Sequence, residues 1–456
     1  MRIGRRDFIA ASGALAMSTT IGAEELSRMT DTDFSSDYAL SSRNPLATRD
    51  QRMVEDRALR LIDHPLMRRS REETSRMLRM VMAADVGDAI SEFDAFIDEY
   101  IFHYTMRAAN NDPDYPTVMR FMTQPHHWFG RDVPGSRWAG DSPDFIYRVI
   151  TTSHGPRYVI KGRATSKVRP TVTYSLLADR QATSFVHSTL NSVAMDIGPD
   201  GEFTITMDPS PANGRPNHIQ TQPDCYAVWV RDALGDWSEC SANLLRVYNL
   251  DEPAGEPKSD DELALWGANA ARDGLYYLYW LTRTSWLQVP NQPREPRTLL
   301  DMGGMPGQWG AGFRLALKPD EAFIVTCNAG GAQFRNTQLT DFYWLTWDYW
   351  NRQTSLNAGQ MAPNEDGTFT YVYAHEDPGV HNWVDLCGRA DVRVGHRWQS
   401  FRNGEPDEPL FFNGKLVRFS DVERELPDGV PRIDAAGRKQ QLARRKEGFD
   451  RRFIDS

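Results

Sequence analysis

The sequence predicts an α+β protein that is mainly β. It should form antiparallel β-sandwiches of jelly-roll kind, with an N-terminal helical segment and a second helical stretch near 263–286. Three observations predict it. β-Branched and aromatic runs recur between Gly, Pro and Ser turns from residue 113 onward. Apolar residues return at three- and four-residue steps within 50–108, the helical period. A long stretch over 263–286 is rich in Trp, Tyr and Leu without a breaker. At 456 residues, 40% hydrophobic and 25% charged, the chain has room for about two or three domains with a real core.

The first 23 residues read as an export leader. Paired arginines in Arg5-Arg6-Asp7-Phe8-Ile9 precede a weakly apolar run from Ala10 to Met17, and Ile21-Gly22-Ala23 ends in a small residue where cleavage would fall. That layout is a twin-arginine signal, which implies the export machinery as a partner and a periplasmic or secreted destination. Residues 24–46 are polar and read as a flexible leader, and 47–112 as a helical segment. A first helix should stop at His64-Pro65, because the residue before proline avoids the α region. A second carries Met77, Met80, Met82, Val86, Ile90, Phe93, Phe96 and Ile97, with His103 on it as a packed or solvated residue.

Residues 113–250 form a β-rich unit with strand-like runs at 147–150, 158–163, 171–176, 203–207 and 226–232. Asp200-Gly201 before the fourth run is a hairpin signal. The charged, Pro-rich 251–262 reads as a linker. A second β-rich unit spans 263–417, with runs at 322–327, 342–346 and 368–375, and 418–456 is a charged helical tail packed at one edge. Asp273-Gly274 and Gly303-Gly304 read as turns, and no repeat of solenoid period is present.

Charge and motifs exclude several functions. Lys+Arg 52 against Asp+Glu 62 gives a net charge of −10, which speaks against a broad basic face for nucleic acid. No apolar run reaches the ~20 residues of a membrane span, so stable membrane insertion is not expected. G-x-S-x-G, P-loop, dinucleotide and H-E-x-x-H patterns are all missing, and no cofactor is implied. The four cysteines (Cys225, Cys240, Cys327, Cys387) allow three pairings and include no C-x-x-C pair. His126 and His127 are adjacent on an extended segment, so they point apart and form no joint metal pair.

The densest polar constellation is 374–385. Strand alternation sets Phe369, Tyr371, Tyr373 and His375 on one face, so His375 should end an aromatic stripe where a pocket wall meets its mouth. Asp377-Pro378-Gly379 turns the chain and returns His381, Trp383 and Asp385 nearby. An imidazole beside carboxylates can perform general acid–base chemistry, which makes His375, Glu376, His381 and Asp385 the candidate catalytic residues. Their spacing matches no metal motif. A second aromatic run over 343–350, read as a strand, contributes Trp347. With Tyr147, Arg352, Asn357, Tyr373 and Trp383 it forms the candidate substrate-binding set.

These residues also carry a resemblance. The runs 147–150 and 158–163, followed by 352–357, 366–368 and His375-Glu376-Asp377-Pro378-Gly379-Val380-His381-Asn382-Trp383, are similar to bacterial proteins with the DUF1214 domain, over about residues 110–400. The family has no assigned function and no agreed catalytic residues. The resemblance implies a jelly-roll β-sandwich in an exported protein. This chain differs in its long helical front piece and in lacking an evident DUF1254 partner domain. The reading that follows is an exported enzyme, a hydrolase or lyase, acting on a small amphipathic or carbohydrate-like molecule in an aromatic-lined cavity. The alternatives are a non-catalytic periplasmic ligand-binding protein and an envelope interaction module.

Overall fold

A computed structural model describes residues 34–81, 89–178, 186–300 and 304–455. The twin-arginine leader, Met82 and Val86 lie outside the described residues. Three helices come first: α1 (Arg49–Leu61), α2 (Pro65–Val81) and α3 (Ala89–Ala109). Thr48 caps α1 by accepting the Gln51 N–H, and the chain breaks at His64-Pro65 as expected. Met77, Met80 and Ile90 face solvent, whereas Phe93, Phe96 and Ile97 are buried, so the apolar period continues onto a surface at the α2–α3 junction.

Eleven strands follow. They are β1 (Met119–Phe121), β2 (His126–Trp128), β3 (Arg131–Val133), β4 (Phe145–Thr151), β5 (Tyr158–Arg163), β6 (Thr171–Leu177), β7 (Val186–Asn191), β8 (Glu202–Asp208), β9 (His218–Gln220), β10 (Ala227–Ala233) and β11 (Leu244–Asn249). Helix α4 (Asp260–Trp286) starts at a Ser259/Glu262 capping box, with three acidic residues favoured by the positive end of the helix dipole. Asp273-Gly274 is therefore mid-helix, not a turn. A Cβ on Gly274 would collide with the Tyr104 hydroxyl of α3 at 1.8 Å, so glycine there permits close helix packing.

Nine more strands complete the set: β12 (Arg297–Thr298), β13 (Trp309–Ala316), β14 (Glu321–Cys327), β15 (Phe334–Thr340), β16 (Ser355–Asn357), β17 (Phe369–Ala374), β18 (Trp383–Asp385), β19 (Asp391–Gln399) and β20 (Phe412–Arg418). Two short tail helices are α5 (Val422–Glu425) and α6 (Ala435–Asp450).

The strands build two sandwiches with one connectivity. The first packs sheet β1-β4-β10-β6-β7 on sheet β11-β5-β8-β9, and the second packs β12-β13-β19-β15-β16 on β18-β17-β14-β20. Read strand for strand, the orders coincide, down to a parallel pair at one edge (β8 with β9, β17 with β18). This is a duplicated two-sheet unit. It departs from a jelly roll because β6 and β7 pair as neighbours within one sheet and the edge pair runs parallel.

Each sandwich has its own core, filled by alternate residues. Val228 and Val230 of β10 face Ile160 and Ile205 in the first, and Val392 and Val394 of β19 face Val325 and Tyr371 in the second. The tail straps the two units together. Arg444 of α6 bonds Asp236 of the first at 3.0 Å, while Arg445 donates to the Tyr349 carbonyl at 2.9 Å and stacks on Trp237.

The segment 343–350 is not a strand. Asp341 Oδ1 accepts the N–H groups of Tyr343 (2.9 Å) and Leu345 (2.8 Å), which folds the chain into a turn with Trp344 at φ 64° and Asp348 at φ 38°. All four cysteines are free thiols. Among the described residues, no helix is long and apolar enough to cross a membrane.

Candidate functional site

The outer faces of the two five-stranded sheets meet at a cleft of about 590 Å³, roofed by α4 and by the turns carrying Gly140 and Trp344. Its size is ordinary for a small-molecule site. Alternation decides what enters it. On β4 and β10, Phe145, Tyr147, Trp229 and Arg231 point outward while Val228 and Val230 fill the core. On β19, Arg393, Gly395 and Arg397 point outward while Val392, Val394 and Trp398 point inward.

The cleft is cationic in an acidic chain. Arg231, Arg294, Arg297, Arg393 and Arg397 line it against one carboxylate, Glu295. The three arginines on the sheets rest on aromatic rings instead of acids: Arg393 over Trp344 at 3.7 Å, Arg231 over Trp229 at 5.2 Å and Arg397 over Phe145 at 5.9 Å. Arg397 also donates to Gln338 Oε1 at 2.8 Å and to the Gly140 carbonyl at 3.1 Å. No carboxylate among the described residues pairs with Arg393. Burial, with Arg397, Arg294 and Arg297 close by, pulls its pKa down to about 9.

The other unsatisfied polar groups here are donors too. The indole N–H groups of Trp138, Trp229 and Trp344 are buried without an acceptor. Tyr147 stands opposite Arg231 in the β4–β10 register, and its hydroxyl accepts the Ser142 N–H at 3.1 Å. Burial pushes its pKa up to about 12, so at neutral pH it keeps its proton to donate.

Trp344 owes its place to strain. A bulky residue in the left-handed region is held there by the Asp341 turn, and its carbonyl accepts the Gly140 N–H at 2.7 Å. Burial raises the Asp341 carboxyl to about 7, partly offset by hydrogen bonding to Leu345 and by Arg389 and Arg137, with Glu92 adding to the rise. The unfolded chain ionises this group near 4, so the folded state holds an extra proton between about 4 and 7. Stability from this group is therefore present below about 4 and lost as pH rises through about 7. Asp341→Asn keeps the acceptor oxygen without the titration. It should match the native protein near pH 4 and exceed its stability by about 2–4 kcal/mol at pH 8, as read by denaturant unfolding at both values.

Of the candidate residues read from the sequence, Tyr147 lines the cleft. The aromatic stripe exists, but Phe369, Tyr371 and Tyr373 pack into the second sandwich core, and Tyr373 bonds Thr337 Oγ1 at 2.6 Å. The stripe walls no hollow, because both sandwich faces are covered. His375 is half-buried, 3.4 Å from the Leu317 carbonyl, and Glu376 is exposed. His381 contacts Asn382 Oδ1 at 3.1 Å. Asp385 is buried and paired with Arg352 at 2.6 Å, so the hairpin does not bring it to His375.

Asn357 ties Asp144 (2.7 Å) to the Leu234 carbonyl. Trp383 donates to the Ala374 carbonyl at 3.1 Å, and Trp347 lies under Arg389 at 4.4 Å. His126 and His127 diverge as expected, the first against Glu55 and the second against exposed Asp132. Among the described residues, no group of three His, Cys, Asp or Glu could hold a metal ion. Sequence reasoning missed Arg231, Arg393, Arg397 and Trp344. The signal that could have found the β19 pair is strict alternation through Asp391–Gln399, with arginines on one face.

No family model and no curated protein matches the chain. A crystal structure of an uncharacterized protein from Burkholderia cenocepacia is similar, with a TM-score of 0.63 at 19% identity over 80% of this chain and 99% of that one. A Vibrio parahaemolyticus protein aligns at a TM-score of 0.40 and 10% identity over 61% of this chain and 90% of that one, too low to bear on the fold. The chain thus shares its fold with a distant bacterial protein.

Proposed function

We propose that this protein is a non-catalytic ligand-binding protein whose inter-sandwich cleft holds a small anionic molecule. The observation that carries the reading is the group of buried arginines facing one another across aromatic walls. Like charges are costly to bury together, and Arg393 has no acid to offset it. An oxyanion would remove that cost and satisfy the waiting N–H donors. The cleft offers no adjacent nucleophile and base: His396 belongs to the β-core, where burial lowers its pKa to about 3. The twin-arginine leader supports a periplasmic site of action, and the 375–383 segment supports kinship with DUF1214 proteins; both are parts of the same proposal.

Tryptophan fluorescence or calorimetry tests it, with decahydro-2-naphthoate and its uncharged amide as probes. The carboxylate should bind about 100-fold more tightly than the amide, a difference of about 3 kcal/mol. Raising salt should weaken the carboxylate alone. Equal binding of acid and amide would refute the anion reading.

A further inference from the structure

We propose that the anion is planar and aromatic and lies flat on the bare strip of sheet between Arg393 and Arg397. The inference rests on the ligand-binding reading above and names the class of molecule. Gly312 of β13 and Gly395 of β19 are direct cross-strand partners on the cleft face. A glycine pair inside a sheet is a weak point, since it packs nothing and loses the most backbone freedom. Neither glycine has a positive φ, so backbone conformation does not call for them.

Space is the remaining reason. Gly312 has a local cause, because a Cβ there would sit 2.8 Å from the Val394 carbonyl oxygen. Gly395 has none: a Cβ would meet only the end of the Arg393 side chain at 3.0 Å and Gln338 Cγ at 3.8 Å. What it would take up is room above the strand.

The groups around that room suit a flat anion. Trp344 covers a face of the Arg393 guanidinium, leaving its N–H edge for an oxyanion. Arg397 stands on the other side of Gly395 on the same strand face. Tyr147 and Trp229 form the facing wall, and Trp229, 2% exposed, carries an N–H without an acceptor. An aromatic plate lying on bare peptide backbone can put an acidic edge group against the guanidinium. A puckered ring of the same carbon skeleton is too thick to do both.

The test compares 2-naphthoate with decahydro-2-naphthoate by calorimetry on the full chain. Naphthoate should bind at least about tenfold more tightly. Gly395→Val should weaken naphthoate about 30-fold and the puckered acid less than about threefold. Gly395→Ala, whose methyl group displaces only a flexible side-chain end, should give an intermediate loss and guards against a valine variant that fails to fold. Equal affinity for the two acids, or naphthoate binding unchanged in the folded Gly395 variants, overturns planarity and leaves the anion cleft standing. If neither acid binds, the anion cleft itself is overturned, and this inference with it.

Discussion

Arg393→Met should abolish anion binding, by about 100-fold or more, and at the same time make the ligand-free protein more stable by about 1–3 kcal/mol. The two effects have one cause. At rest the guanidinium is buried among Arg397, Arg294 and Arg297 with only the Trp344 ring beneath it, a standing electrostatic cost. Methionine keeps the apolar stem and a sulfur–aromatic contact with Trp344 while removing the charge. Arg397→Met is the contrasting control. It should lose binding and stability together, because Arg397 also ties Gln338 to the Gly140 carbonyl. Thermal unfolding and calorimetry on both variants decide the matter: a destabilised Arg393→Met protein would mean that this arginine serves the fold and not a ligand.

The largest stability effect should come from Arg148→Met. Arg148 donates to both oxygens of Asp232, at 2.8 and 2.6 Å, and to the Asn243 carbonyl at 2.6 Å, with both charged side chains buried in the first sandwich. Removing one partner leaves a buried carboxylate alone, which costs about 3–5 kcal/mol. The Arg148→Met, Asp232→Leu double variant should recover most of that, since two apolar groups can fill the space of the pair. Urea unfolding of the singles and the double closes the cycle. Asp232 shares β10 with Trp229 and Arg231, so Arg148→Met should also weaken anion binding where the double variant restores it. A single variant costing under about 1 kcal/mol would show that the pair is not what holds this strand.

Local structure was widely legible. The helix break at His64-Pro65, the capped helix at Asp260–Trp286 and the strands at Tyr158–Arg163 and Phe369–Ala374 follow from proline sterics, capping and alternation, which act within a few residues. The failures have physical reasons as well. The run 343–350 has strand composition, but one buried carboxylate, Asp341, bonds two following N–H groups and makes a turn. The aromatic stripe on β17 was read as a pocket wall because core and cavity linings share a composition. The duplication left no sequence trace, since a sandwich position asks only for inward apolar and outward polar residues. Nothing in the composition of His375–Asp385 distinguishes a turn tied to its surroundings from an acid–base site; the Arg352–Asp385 pair does.

By itself the sequence determined the leader, the order of helices and strands, and which residues of each strand face inward, because backbone sterics and hydrophobic periodicity are local. The tertiary structure decided where the cleft lies and that it is cationic. Arg231 and Arg393 sit on equivalent strands of different sandwiches, and each reads along the chain as a solvated outer residue. They become one charged site when the two sheets face each other and exclude water between them, which is a long-range consequence of packing that no single segment encodes.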